Sequence, residues 1–304
     1  MQRIIPLKKI PQSLWNGGII YFSAVLRNIY DDTLSQYSLI EKAKVFVSGV
    51  VGGPSANEAD QHFAQRYLTS ASRVEFAYLD PMNLWVDIHN ILNEILSEGR
   101  IGLLDLACGS GAATLGLVST LIELREKRIL PQLPLSIHII GADYSARSLE
   151  IFKKQLEPLL NVGKRYGIDI TSELLICDLQ SATDINDVLR KFTSGEFDDY
   201  LVVIANISSA LETEVFRESL TQAMTLLLGY LNGKSTNIIS IEPSKSRSEE
   251  KRWFKKIVER ALKFFGDWAT TPAMASTAQY QFSHYLLNKN VSSNVAIKEV
   301  RHGE

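Results

Sequence analysis

Only two cysteines occur in 304 residues, Cys108 and Cys177, and they stand in unrelated segments. That excludes a disulfide framework and a C-x-x-C zinc site, and it fits a reducing compartment. A charge surplus of either sign is also missing: 32 Lys+Arg against 34 Asp+Glu leave −2 at pH 7. A general nucleic-acid binder needs a basic surplus to meet phosphates, so that class is disfavoured. No apolar stretch approaches the ~20 residues needed to cross a bilayer. The basic opening MQRIIPLKKIPQSLWNGG reaches its prolines and glycines before any apolar run of signal-peptide length. These absences point away from a membrane and towards the cytoplasm. Internal repeats and low-complexity segments are lacking too.

What is present is the composition of a globular protein, 45% hydrophobic and 22% charged. The length suits one large domain, or one domain with an accessory segment. Residues 1–97 show helical spacing and no convincing strand alternation. Apolar residues recur at helical intervals over 19–30 and 34–47. Residues 49–57 (GVVGGPSAN) break the pattern, and a further helix is expected from 57 to about 71. Asp80-Pro81 reads as a helix start, with Met82, Leu84, Trp85, Ile88, Ile91, Leu92 and Ile95 as the buried face.

From Ile101 onward short apolar runs alternate with longer amphipathic segments. Strands are expected at 101–106, 137–142, 174–177, 200–205 and 237–241. Helices are expected at 112–127, 146–165, 212–231 and 249–265. Strand alternating with helix argues for parallel βαβ units covered on both faces. The tail differs: 280–287, a turn at Asn288-Lys289-Asn290, then 295–300 reads as a terminal antiparallel hairpin.

The stretch LLDLACGSGAAT (103–114) ends a buried strand in Asp105, turns through small residues and opens a helix. Gly109 and Gly111 let the backbone approach a ligand closely, and the helix start offers unpaired N–H groups. A dinucleotide site would want a third glycine and an acid about 20 residues further on. Here Thr114 takes the third glycine's place, and the next strand-end acid is the more distant Asp143. The Asp105 carboxylate would repel a diphosphate and attract an ammonium group, which favours a nucleoside bearing an amino acid. Asp143, in IIGADYS (139–145), can accept from both ribose hydroxyls. Asp178, in LLICDLQ (174–180), can accept from an adenine amine, with Leu179 against the ring face. Any one such Asp could be a helix N-cap. Three at successive strand ends are harder to explain that way.

From about residue 101 to 243 the chain resembles the class I S-adenosylmethionine-dependent methyltransferases. LLDLACGSGAAT is similar to that superfamily's first motif, with Ala107 in place of its first glycine, and IIGADYS and LLICDLQ are similar to its second and third. YLVVIANISSAL (200–211) stands where the fourth strand and catalytic loop belong. The resemblance implies an α/β fold, a doubly wound, mostly parallel seven-stranded sheet with one antiparallel strand near the C-terminus. An all-α N-terminal extension would precede it. It implies that S-adenosylmethionine is held by Asp105, Ala107, Gly109 and Gly111 at the methionine end, by Asp143 with Tyr144 at the ribose, and by Asp178 with Leu179 at the adenine. Asn206, in the fourth-strand loop, would also touch the cofactor. A further likeness, to methyltransferase-like proteins of ribosomal small-subunit assembly, rests on the fourth-strand region and ISIEP (239–243). That family carries a cysteine cluster for a metal, which this chain cannot supply, and no metal is expected.

The expected organisation is therefore a helical lid or docking segment, 1–97, on a cofactor-binding core, 98–304. His62, Tyr67, Arg73, Glu75 and Tyr78 are the polar and aromatic residues nearest the core. His62 and Tyr67 join Asn206 as catalytic candidates, whereas His89, among apolar neighbours, reads as structural. The mixed run at 245–256 reads as a solvated helix start rather than an RNA patch. The leading functional reading is a methyltransferase acting on an unidentified acceptor, a small molecule before a nucleic acid. The alternative is a cofactor-binding subunit with little or no catalysis in a larger assembly, an RNA-associated one included, docked through its N-terminal helices.

Overall fold

The computed structural model describes residues 3–45, 53, 55–207, 214–243, 268–270 and 276–302. Most of the 49–57 break, the end of the fourth-strand loop from Ser208, the 245–256 run and the helix expected at 249–265 lie outside the described residues.

Five parallel strands form the centre: β3 (Gly99–Leu106), β4 (Leu135–Asp143), β5 (Ile168–Ile176), β6 (Asp199–Ala205) and β7 (Thr236–Glu242). Their order across the sheet is β5-β4-β3-β6-β7. The chain thus steps outward from β3 in one direction and then restarts on the other side of it, opening a crevice at the carboxyl ends of β3 and β6. Alternate residues of β3 face opposite ways. Ile101 and Leu103 join the apolar cluster of α5 (Ala112–Glu126) and α6 (Ala146–Arg165). Leu104 and Leu106 join that of α7 (Ala182–Ser194) and α8 (Glu214–Tyr230). Burial on both faces is why these strands read as continuous apolar runs.

The sheet differs from the seven-stranded expectation. It continues past β7 into a mixed sector, and among the described residues it has ten strands. There β9 (Ser276–His284) and β10 (Leu287–His302) form an antiparallel hairpin, β10 also pairs antiparallel with β7, and β8 (Trp268–Thr270) pairs with β10. The hairpin turns at Tyr285-Leu286. Asn288, Lys289 and Asn290, expected as the turn, are paired in β10 opposite Ser283, Phe282 and Gln281.

Nor is the N-terminal segment all helical. β1 (Trp15–Asn16) and β2 (Ile19–Tyr21) form a two-residue hairpin, and β2 extends the sheet beside β9. The turn residues Gly17 and Gly18 have φ of 59° and 85°, the left-handed pair that such a turn requires. Ser23 then caps α1 (Ala24–Gln36), its Oγ accepting from the Leu26 N–H at 3.1 Å. Ser38, at φ 57°, separates α1 from α2 (Ile40–Lys44), which breaks the single helix expected over 34–47.

α3 (Ala56–Leu79) is longer than its expected 57–71. Ser55 and Glu58 close a capping box at its start. Its end is Asp80, left-handed at φ 42° and bonded to Arg3 at 2.8 Å. Asp80-Pro81 is therefore a helix stop, and α4 (Val86–Ile95) begins later, leaving Met82 and Leu84 47% and 38% exposed. His89 is structural: it accepts from the Ile5 N–H and lies 2.7 Å from the Tyr78 carbonyl. Among the described residues no helix is long and apolar enough to cross a membrane.

Sixteen of the 24 residues of α3 are buried, so this helix is interior packing, shared with α5 and α6 in one apolar cluster. Glu75 is the cost of that position. Its side chain is 0% exposed, and burial together with Glu123 pushes its carboxyl well above the usual range. A carboxyl whose pKa is raised on folding stabilises least at high pH, because the unfolded chain gives up the proton first. Each unit of that shift is about 1.4 kcal/mol. Glu75→Gln is expected to raise the unfolding midpoint at pH 8 and to flatten the loss of stability between pH 5 and pH 8. Urea titrations across that window check it, and a variant less stable than the parent at pH 8 would contradict the assignment.

Candidate functional site

The crevice beside β3 holds two adjoining cavities. One, of about 70 Å³, is lined by Asp105, Ala107, Gly109, Ser110 and Asn206, and by His62, Phe63, Tyr67 and Ser70 of α3. The other, of about 370 Å³, is lined by Gly109, Asp143, Tyr144, Asp178, Leu179, Asn206 and His62 among others. Together they have the size and mixed polarity of a small-molecule site.

Each wall follows from local geometry. Asp105 occupies the end of β3 and is 1% exposed; its Oδ2 accepts from the Thr114 hydroxyl at 2.7 Å and the Thr114 N–H at 3.3 Å. Burial raises its carboxyl to about 7, with Asp143 adding to the shift. Ala107 and Asn206 follow β3 and β6, and both are left-handed, at φ 58° and 60°. Asparagine tolerates that conformation; alanine does so at a cost of about 1–2 kcal/mol. The resemblance expects a glycine at 107, and the strained backbone gives the reason. Gly109 has open space where a Cβ would stand, whereas a Cβ on Gly111 would overlap the Phe152 ring. Only the first of the two glycines thus leaves its side open.

Asp143 ends β4. Its Oδ2 accepts from the Gly109 N–H at 2.8 Å and its Oδ1 from the Ser145 N–H at 2.9 Å. Each carboxylate oxygen has two lone pairs, so both retain capacity for a ligand hydroxyl. Burial pushes this carboxyl up as well. Asp178 follows β5, is exposed, and accepts from the Gln180 N–H at 2.9 Å. Leu179 beside it is buried, and Tyr144 is 47% exposed on the rim. Neither acid caps a helix: Ser145 caps α6 and Ser181 caps α7, each through its hydroxyl. The helix-cap explanation for Asp143 and Asp178 therefore falls away.

The α3 side is mixed. His62 borders both cavities, and burial, with Arg66 assisting, lowers its imidazole to about 4. The Tyr67 hydroxyl is buried without a hydrogen-bond partner and its phenol is pushed well up by burial, which keeps it protonated. Ser110 Oγ is likewise buried and unpartnered. Arg73 donates to Asn206 Oδ1 and, at 3.2 Å, to the Ser292 carbonyl of β10. Glu75 and Tyr78 are not brought to either cavity. Ser70, Ser110 and Phe63 were not singled out by sequence reasoning. Ser110 stands inside the glycine loop, which is the signal that could have found it.

No family model matches this chain, and no curated protein matches it either. Solved structures do. A candidate O-methyltransferase from Klebsiella pneumoniae shares 14% identity at a TM-score of 0.38, covering 95% of this chain and 93% of that one. The DszA carbon methyltransferase shares 15% at 0.39, covering 91% and 66%. A candidate RNA methyltransferase from Pyrococcus horikoshii shares 11% at 0.39, covering 76% and 82%. At this identity and TM-score the likeness fixes neither activity nor substrate.

Proposed function

We propose that this protein binds S-adenosylmethionine in the β3–β4–β5 crevice and transfers its methyl group to a small acceptor. The observation that carries the reading is the set of three carboxylates, Asp105, Asp143 and Asp178, around one cleft at the carboxyl ends of parallel strands, with both helix caps supplied by serines. The donor set suits the cofactor. Asp105 offers a buried carboxylate to an ammonium group, and Gly109 leaves room for close approach. Asp143 has acceptor capacity for two hydroxyls, while Leu179 and Tyr144 offer apolar faces to a base. Tyr67 and Ser110 contribute hydroxyls free to meet polar atoms of the methionine end.

When bound, S-adenosylmethionine would supply an electrophilic sulfonium methyl whose transfer to the acceptor leaves a neutral thioether. The chain's part is mostly positioning. α3 roofs the smaller cavity and limits water there. Neutral His62 is the group available to take the acceptor's proton, while Tyr67, held protonated, serves as a donor. Asn206, fixed by Arg73, borders the acceptor side.

Asp105 makes the reading testable by pH. A carboxyl at about 7 must lose its proton to pair with an ammonium. Binding is therefore expected to release a proton below pH 7 and to tighten by up to about tenfold per pH unit up to that point. Calorimetric titration with S-adenosylmethionine in buffers of different ionisation heat measures both. Absence of binding at any pH from 6 to 8 would sink the assignment. Binding without turnover over a panel of acceptors would leave a cofactor-binding subunit instead.

A further inference from the structure

Four residues line both cavities and so stand at the seam between them: His62, Ala107, Gly109 and Asn206. Only His62 and Asn206 bring polar side chains to it. The Asn206 backbone is fixed from β7: its N–H donates to the Ile241 carbonyl at 2.9 Å, and its φ of 60° turns it out of β6. The next N–H, of Ile207, donates to Glu242 Oε1 at 3.0 Å, so the end of β7 holds both residues. The Asn206 side chain is fixed by Arg73 of α3. A terminal guanidinium nitrogen of Arg73 donates to Asn206 Oδ1, while its Nε donates to the Ser292 carbonyl at 3.2 Å. A planar group anchored at two points has little freedom to swing.

That anchor decides which end of the amide faces the seam. A guanidinium has donors and no acceptor, so the amide atom it meets is the oxygen and cannot be the nitrogen. Arg73 lines neither cavity, whereas Asn206 lines both. With Oδ1 turned towards Arg73, the Nδ2 group, carrying two N–H donors, is what Asn206 offers to a ligand. His62 brings an imidazole that burial, with Arg66 assisting, lowers to about 4 and so keeps neutral. An acceptor group at the seam therefore meets one donor and one proton acceptor. A hydroxyl satisfies both. Its O–H donates to His62, one lone pair accepts from Nδ2–H, and the second lone pair stays free to attack the methyl. A neutral amine has a single lone pair, and the Nδ2 donor would occupy the pair that must attack. A carbon nucleophile has no lone pair to offer. The donor edge also turns partial positive charge to the seam, which suits an electron-rich oxygen and not the sulfonium.

We propose that the methyl acceptor is a small molecule bearing a hydroxyl and that transfer goes to its oxygen. Arg73 is the positioning residue behind this preference, because it holds the Asn206 amide with its nitrogen towards the acceptor. The assignment rests on the reading of the crevice as a methyl-transfer site. In the step it implies, the oxygen–methyl bond forms as the methyl–sulfur bond breaks. The hydroxyl proton passes to the His62 imidazole, and the positive charge of the sulfonium ends on that imidazolium. Asn206 touches the reacting oxygen; Arg73 acts only through Asn206.

The full chain is given methyl-labelled S-adenosylmethionine and pairs of probes that differ in the reacting atom: phenol and aniline, catechol and ortho-phenylenediamine. Labelled products are separated and identified by mass. At least one hydroxyl probe is expected to be methylated on oxygen, at least about tenfold faster than its amine partner. Aniline is the better nucleophile in water, so that order would come from the site. Arg73→Gln leaves the Asn206 amide free to turn. It is expected to lose at least about tenfold in kcat for the hydroxyl probe and most of the preference, with KM for S-adenosylmethionine unchanged. Arg73→Lys still offers donors only and is expected to keep the preference. Asn206→Asp tolerates the same left-handed backbone but turns an oxygen to the seam. It is expected to reverse the preference, since an amine can donate to that oxygen and keep its lone pair. This variant decides alone if neither Arg73 variant folds. Binding of S-adenosylhomocysteine is followed by calorimetry on every sample. Where it binds the parent, any of these results overturns the proposal: no hydroxyl probe methylated, faster transfer to nitrogen, an unchanged preference in Asn206→Asp, or equal losses in the two Arg73 variants. A loss of nucleoside affinity in Asn206→Asp as large as its loss of transfer gives the amide to the cofactor and overturns it too. Where the nucleoside does not bind the parent, the methyl-transfer reading itself falls and takes the acceptor assignment with it.

Discussion

Asp143→Ala is expected to weaken S-adenosylmethionine binding about ten- to a hundredfold and to destabilise the fold as well. The two effects have one origin. The carboxylate accepts from the Gly109 and Ser145 N–H groups, so it fixes the glycine loop to the start of α6 before any ligand arrives. Removing it leaves two backbone donors without their acceptor at a site that is only 7% exposed in the parent. Each such donor costs about 1–3 kcal/mol unless water reaches it, which sets the stability loss at about 2–6 kcal/mol. Asp143→Asn separates the contributions. It keeps the shape and one acceptor, but turns an NH₂ towards one of the two N–H groups. Urea unfolding and calorimetry on both variants provide the check. Retention of full affinity in the alanine variant would remove Asp143 from the cofactor site, whatever happened to stability.

What could be read in the sequence, and what could not, follows the range of the interactions. α6 matches its expected bounds because Ser145, the apolar spacing and the closing basic pair are all local signals. The strand-end acids were legible for a topological reason: in parallel βαβ units every strand delivers its carboxyl end to the same edge. Three acids read along the chain therefore had to meet. α7 went unread although its signals are present, with Ser181 as cap and Ile185, Val188, Leu189 and Phe192 at helical spacing.

Other misses were tertiary. Ile19-Ile20-Tyr21 merged with the apolar pattern of α1; pairing with β1 across Gly17-Gly18 and with β9 makes it a strand. Asn288-Lys289-Asn290 has the composition of a turn, but the ladder with β9 takes those residues into β10. Asp80-Pro81 carries a helix-start signature, yet the bond from Arg3 and the left-handed backbone make Asp80 a stop.

The two glycines of the loop are expected to fail in opposite ways. Gly111→Ala should destabilise the protein by about 3 kcal/mol or more, and Gly109→Ala by only about 1 kcal/mol while impairing binding. Both residues are left-handed, at φ 79° and 53°, so an alanine at either carries the same kind of backbone cost. They differ in what the new methyl would meet. At Gly111 it would overlap the ring of Phe152, which is 0% exposed and already tight against β4, since a Cβ on Gly141 would come within 2.7 Å of the same ring. The ring has nowhere to retreat, so the helix start of α5 must shift. At Gly109 a Cβ would find nothing within 4 Å, because that side faces the cavity. The added methyl then occupies ligand space at little cost to the fold. Chemical unfolding paired with S-adenosylmethionine titration reads out both quantities. The cycle is completed by Phe152→Leu, which in the Gly111→Ala background is expected to cost less than it does alone, since it makes room for the methyl. If Gly109→Ala proves the more destabilising and Gly111→Ala the more harmful to binding, the ligand does not lie against the open side of Gly109.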